Sequence, residues 1–83
     1  MQQQTGNPGA FQLVSLDPGN RFVGQAVKQM ALPKSAVLVS IERGDRVLIP
    51  RGDTTLAPDD RLVLYVNPGT EADAVCKFLG GRR

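Results

Sequence analysis

Histidine and tryptophan are missing from this 83-residue chain, and cysteine occurs once, as Cys76. Without an imidazole the usual general base and the Ser-His and Cys-His pairs are excluded, and a metal site would have to be built from carboxylates alone. A single cysteine closes no disulfide, and with no secretory leader visible it points to the cytosol. The longest apolar runs, Ala36 to Val39 and Leu62 to Val66, are far too short to span a bilayer. Aromatic residues amount to three Phe and one Tyr, too few for a base-stacking platform. Ten basic residues stand against eight acidic ones for a net charge of +2. The basic residues are scattered singly, with only Arg82 and Arg83 adjacent, so no nucleic-acid partner is expected.

What is present fits one small domain. A chain of this size buries only about 60% of its unfolded surface, so a partner is a reasonable expectation. Residues 1–10 are polar, carry Gly and Pro and have no apolar period, and read as a linker or the edge of an excised piece. Phe11 to Leu16 is short and β-prone, and Asp17-Pro18-Gly19-Asn20 closes it as a turn. Between Phe22 and Met30 the apolar positions Phe22, Val23, Ala26, Val27 and Met30 gather on one side of a short helix that Leu32-Pro33 ends. Ala36 to Glu42 and Arg46 to Ile49 form an antiparallel hairpin about Arg43-Gly44-Asp45, and Pro50 stops its ladder. Arg61 to Val66 makes a fourth strand. Thr70 and Asp73 resemble a capping box opening a last helix, Glu71 to Leu79, which buries Ala72, Val75, Cys76 and Leu79 and ends at Gly80-Gly81.

The fold class is therefore α+β, in the order β-α-β-β-β-α: a four-stranded, at least partly antiparallel sheet with two helices on one face, spanning residues 11–79, with 80–83 as a tail. The strands are apolar on both faces. Val37, Val39 and Ile41 oppose Leu38, and Leu62, Leu64 and Val66 oppose Val63 and Tyr65. Two helices cover only one face, so a homodimer is expected to cover the other.

Arg51-Gly52-Asp53 spells the tripeptide that adhesion ligands present to integrins, but turn chemistry accounts for it. Gly52 permits an unusual backbone angle, Pro58 presets φ, and Asp53, Asp59 or Asp60 can accept N–H bonds from residues just ahead. No integrin partner is expected. The same three carboxylates do not fit a calcium loop, lacking its spacing and its closing Glu, and no metal is expected there.

Taken together, the segments resemble a TrkA-C domain, the C-terminal lobe of the regulators of potassium conductance. The likeness rests on the strand Phe11 to Leu16; on Pro18-Gly19-Asn20-Arg21-Phe22-Val23-Gly24-Gln25, similar to the family's lead into its first helix; on Leu32-Pro33 followed by Ala36 to Arg43; on Gly44, Val47, Ile49-Pro50, Gly52-Asp53-Thr54 and Leu56; and on Asp60-Arg61-Leu62. Two positions depart from the pattern: Asp59 stands where the family usually has Gly, and Gln25 where Lys is frequent.

The resemblance implies a non-catalytic, cytosolic regulatory module. Such modules dimerise at the inner face of the membrane and are fused or bound to a potassium channel, a potassium transporter or a cation/proton antiporter. A small nucleotide-type effector is implied for some branches. Cyclic di-AMP is disfavoured here, because the connection that contacts it in its own branch is short in this chain and offers only Lys34. The polar groups best placed for an anionic effector are Asn20, Arg21, Lys34 and Ser35, each of which also reads plainly as a solvated loop residue, with Asn20 as a cap. A purely structural dimerisation domain without a ligand is the alternative.

Overall fold

The computed structural model describes residues 10–67 and 72–80. Four strands, β1 (Ala10–Ser15), β2 (Ala36–Arg43), β3 (Arg46–Leu48) and β4 (Arg61–Val66), form one sheet in the order β1-β4-β2-β3, and one α-helix, α1 (Ala72–Leu79), follows β4. Every neighbouring pair is antiparallel. The α+β class and the four expected strands are present, with ends that differ by one residue. Residues 1–9, the Pro68-Gly69 turn, Thr70 of the expected capping box and Glu71 at the expected helix start lie outside the described residues.

The core lies on one side of the sheet. Leu62, Leu64 and Val66 of β4 are buried together with Val14, Ala36 and Ile41, and Leu16, Phe22, Met30, Leu56, Val75 and Leu79 close over them. Each such Val, Leu or Ile contributes about 1.5–3 kcal/mol relative to exposure. The alternation expected along β4 is what the sheet uses. In β2 it is interrupted: Leu38 pairs with Leu64 but Ser40 with Val63, so Val39 is an extra residue in the strand. This bulge shifts the phase by one. Ile41 joins Leu38 on the core face, while Val37 stays outside, which corrects the expected grouping of Val37, Val39 and Ile41.

The expected helix over Phe22 to Met30 is replaced by turns and a three-residue 3-10 helix, Val27–Gln29. Its backbone groups bond elsewhere. The N–H groups of Gly24, Val27 and Lys28 donate to the carbonyls of Leu56, Thr54 and Gly52, and Gln25 O accepts from Leu56 N–H. Gly24 takes φ 90°, outside helical space, and Ala26 is extended and bridges to Thr55. Four of the five residues of the apolar period face inward: Phe22 and Met30 are buried and Val23 and Val27 pack against the core, whereas Ala26 is half-buried and lies outside the core cluster. The period did not establish a helix, because the 52–56 loop offers those N–H groups a second set of acceptors. The sheet is thus covered by one helix and a pinned irregular segment.

The β2–β3 hairpin turns through Gly44 at φ 62°, with Arg43 and Arg46 paired on either side. Glycine at the first central position is what a two-residue hairpin turn of this hand requires. Asp59 also takes a left-handed angle, φ 67°, at the position where Gly would be expected. Asp59→Gly should therefore be neutral or stabilise by up to about 1 kcal/mol, whereas Asp59→Val should lose more than about 1 kcal/mol. Thermal melts of the two variants check this.

Candidate functional site

The four residues expected at a ligand site fall into two pairs. Asn20 and Arg21 follow β1 and reach the C-terminal end of α1. Asn20 Nδ2 donates to Leu79 O at 2.8 Å, while its Oδ1 accepts from Phe22 N–H at 2.8 Å. Arg21 Nη2 donates to Phe78 O at 2.8 Å, and its guanidinium lies 4.5 Å from the Phe22 ring centre and 5.4 Å from that of Phe78. The last carbonyls of a helix carry partial negative charge and lack intrahelical donors, so both side chains complement them. Gly80, at φ 68°, completes the end by donating to Cys76 O and Lys77 O. Asn20 Oδ1 thus closes a local turn on Phe22 instead of capping the expected helix, which is absent, while its Nδ2 acts at a helix distant in sequence.

Lys34 and Ser35 precede β2. Lys34 is exposed, and Ser35 O accepts from Asn67 N–H at 2.8 Å. Along β4, Arg61 faces Ser15 at the end of β1, whereas Val66 faces Ala36 at the start of β2. The structure brings Asn20 to Arg21 and Lys34 to Ser35, with the two pairs off opposite ends of the sheet.

Asp60 is the one buried charge among the described residues, with 0% exposure. Arg43 grips it twice, Nε to Oδ1 and Nη2 to Oδ2, both at 2.8 Å, and Nη2 also donates to Thr55 O. Ala57 N–H donates to Oδ2 at 2.9 Å, a bond from a residue behind Asp60 rather than ahead of it. Burial opposes ionisation, yet the Arg43 hydrogen bonds, the Ala57 N–H and the guanidinium charge outweigh it and hold the Asp60 carboxyl below its usual range. Asp60 N–H donates to Ala57 O, Leu16 N–H to Asp60 O and Asp59 N–H to Leu16 O. One residue thus ties the loop to β2 and to the end of β1. Sequence reasoning missed this pair, although an acid at the mouth of β4 and a base at the end of β2 are cross-strand neighbours once the register is known.

The Arg51-Gly52-Asp53 tripeptide sits in a bonded turn. Arg51 N–H donates to Thr54 Oγ1 and Thr54 N–H to Arg51 O, while Gly52 O accepts from Lys28 N–H. Turn chemistry explains the segment, with one change: Gly52 is not among the positive-φ residues, and the left-handed angle in this loop falls on Asp59. Among the described residues no three His, Cys, Asp or Glu side chains gather as a metal site, and no helix is long and apolar enough to cross a membrane.

The sheet face turned away from the core is open to a partner. Phe11 is 65% exposed and Val37 58%, and Leu13, Val39 and Val47 are exposed with them. The registers Phe11–Tyr65–Val37 and Leu13–Val63–Ser40 join these side chains across β1, β4 and β2. The rings of Phe11 and Tyr65 meet edge to face at 5.2 Å. The apolarity expected on both faces is present. A continuous apolar sheet face is a surface for another protein surface rather than for chemistry.

A small antiparallel α+β domain with an open apolar sheet face is the kind of module that works by association. The family model of the TrkA-C domain matches residues 11–80, and the chain belongs to that family. It is 51% identical over 45 residues to a Trk system potassium uptake protein TrkA homolog of Archaeoglobus fulgidus, covering 54% of this chain and 10% of that protein. To the Trk system potassium uptake protein TrkA of Mycobacterium tuberculosis it is 33% identical over 63 residues, covering 76% of this chain and 28% of that protein. A TrkA homolog of Methanosarcina mazei is 35% identical over 46 residues, 55% of this chain and 10% of that protein. The chain thus spans between about a tenth and about three tenths of the length of these relatives.

Proposed function

We propose that this domain is a cytosolic regulatory module of a potassium transport system, dimeric and held at the inner face of the membrane by a channel, a potassium transporter or a cation/proton antiporter. Membership of the TrkA-C family carries the reading, supported by relatives named as Trk system potassium uptake proteins. The mechanism is coupling without catalysis: an effector that favours one arrangement of the dimer biases the attached transporter by its differential affinity. Lys34 and Ser35 are the proposed effector contacts. Asn20 and Arg21 are already engaged at the end of α1, and they reach an effector only by releasing that helix.

That engagement favours a second reading, a dimerisation domain with no small-molecule ligand. Thermal melts of the chain with nucleotides and with monovalent and divalent cations, beside its mass by sedimentation, separate the two. A dimer whose melting temperature rises with a nucleotide, and no longer rises in Lys34→Ala, supports the regulatory reading. A dimer indifferent to every addition leaves the structural one, and a monomer indifferent to all of them counts against both.

A further inference from the structure

The outer sheet face is not uniform, and its pattern determines how a second copy sits on it. At one end Phe11, Tyr65 and Val37 form an apolar row across β1, β4 and β2; in the next row Leu13 and Val63 stand opposite Ser40, with the exposed bulge residue Val39 beside it. At the other end the row is Ser15, Arg61 and Glu42. Arg61 Nη2 lies 2.8 Å from Glu42 Oε1, with both side chains open to solvent. Two sheets packing face to face keep their strands within about 30° of alignment. A two-fold axis in the seam then runs either across the strands or along them. Across the strands, it sets the Arg61–Glu42 end of one copy on the Tyr65–Val37 end of the other and buries charge against apolar side chains, which is costly. Along the strands, it sets apolar on apolar and charge on charge.

Where the axis lies follows from the chemistry of the charged row. Arg61 is on β4 and Glu42 on β2, directly opposite each other in the register. An axis between these strands exchanges β4 with β2, so each Arg61 comes over an acid and each Glu42 over a base. Any axis centred on β4 or on β2 alone stacks like charges. We propose that this face seats a second copy of the chain about a two-fold axis parallel to the strands and between β4 and β2, so that Arg61 pairs with Glu42 of the partner subunit while Tyr65 packs on the partner's Val37. The inference rests on the homodimer reading above and supplies its geometry. The four charges form an alternating ring at one end of the seam, and the apolar rows close the rest.

The test separates pairing within a chain from pairing across the seam. Glu42→Arg and Arg61→Glu each place like charges together, and each alone should weaken the dimer by at least about tenfold in sedimentation. Mixing the two variants should restore association as a heterodimer, because each chain then meets its opposite, although the like-charged pair inside each chain persists. Val37→Asp, at an exposed position, should abolish the dimer with the circular dichroism of the fold unchanged. A parent dimer indifferent to Val37→Asp overturns the face while leaving the homodimer reading intact. A dimer lost in Val37→Asp but not recovered on mixing overturns the axis. A parent chain that stays monomeric at millimolar concentration overturns both.

Discussion

An Arg43→Ala chain is expected to be less stable than the parent by about 2–3 kcal/mol, a fall of roughly 10–20 °C in melting temperature. Removing the guanidinium strands a carboxylate that has no exposure, and the two hydrogen bonds that satisfied it go with it. The figure falls below the cost of breaking a fully buried pair, about 3–5 kcal/mol, because the Arg43 side chain is 39% exposed and water screens its share. The effect has a pH signature. The folded-state pKa of Asp60 is depressed, so the pair contributes stability that is fully present above the unfolded aspartate value of about 3.9 and is lost as pH falls through the folded value. In Arg43→Ala the depression is gone. Melts followed from pH 7 to pH 2 should show the gap between parent and variant widest near neutrality and narrowing below about pH 4.

Asn20→Ala is expected to cost about 2 kcal/mol, since one side chain supplies both an acceptor for Phe22 N–H and a donor to Leu79 O, each worth about 1 kcal/mol. The loss should be local as well as global. Hydrogen exchange should quicken most in the last turn of α1, whose end Asn20 holds. Asn20→Asp separates the two bonds: it keeps the acceptor, loses the donor and places a negative charge beside the carbonyl end of the helix, where charge of that sign is unfavourable. Its α1 should therefore exchange at least as fast as that of Asn20→Ala. Equal protection of α1 in all three chains would mean that Asn20 does not hold the helix end, leaving that to Val75, Leu79 and the Arg21 bond to Phe78 O.

The parts of this fold legible in the sequence are those set by local chemistry. β4 is a short run of Leu, Val and Tyr entered by Asp60-Arg61, which marks a strand, although its apolarity at every position did not say which side is buried. The β2–β3 hairpin announces itself at Gly44, whose positive φ the turn needs. Two features escaped because their causes are non-local. The Phe22 to Met30 segment has a helical spacing of apolar residues, but its N–H groups find acceptors in a loop thirty or so residues later, and no local pattern carries that information. The β2 bulge likewise depends on pairing: Val39 is an ordinary strand residue until β4 offers one partner for two positions. The site shows the same division. Asn20 as a turn residue was readable from Asp17-Pro18-Gly19-Asn20, whereas its bond to Leu79, and the grip of Arg43 on Asp60, exist only once distant strands and the helix have met. The pairing of Asn20 and Arg21 with α1 also explains why polar residues flanking a turn read equally as ligand contacts and as scaffold: the same donors suit a bound anion or a helix end.

The strand order β1-β4-β2-β3 has a consequence for how the molecule is born. β1 is synthesised before β2 and β3 yet pairs with neither; among the described strands its neighbour is β4, the last of the four to be made. Until Arg61 to Val66 emerges, only the small hairpin can form, and a lone hairpin is marginal in water. Vectorial synthesis therefore cannot build this sheet piecemeal. This sheet must wait, open, and then close around β4 in one cooperative event, so a ribosome stalled short of Arg61 would hold the hairpin and an unpaired β1 segment rather than a partial sheet.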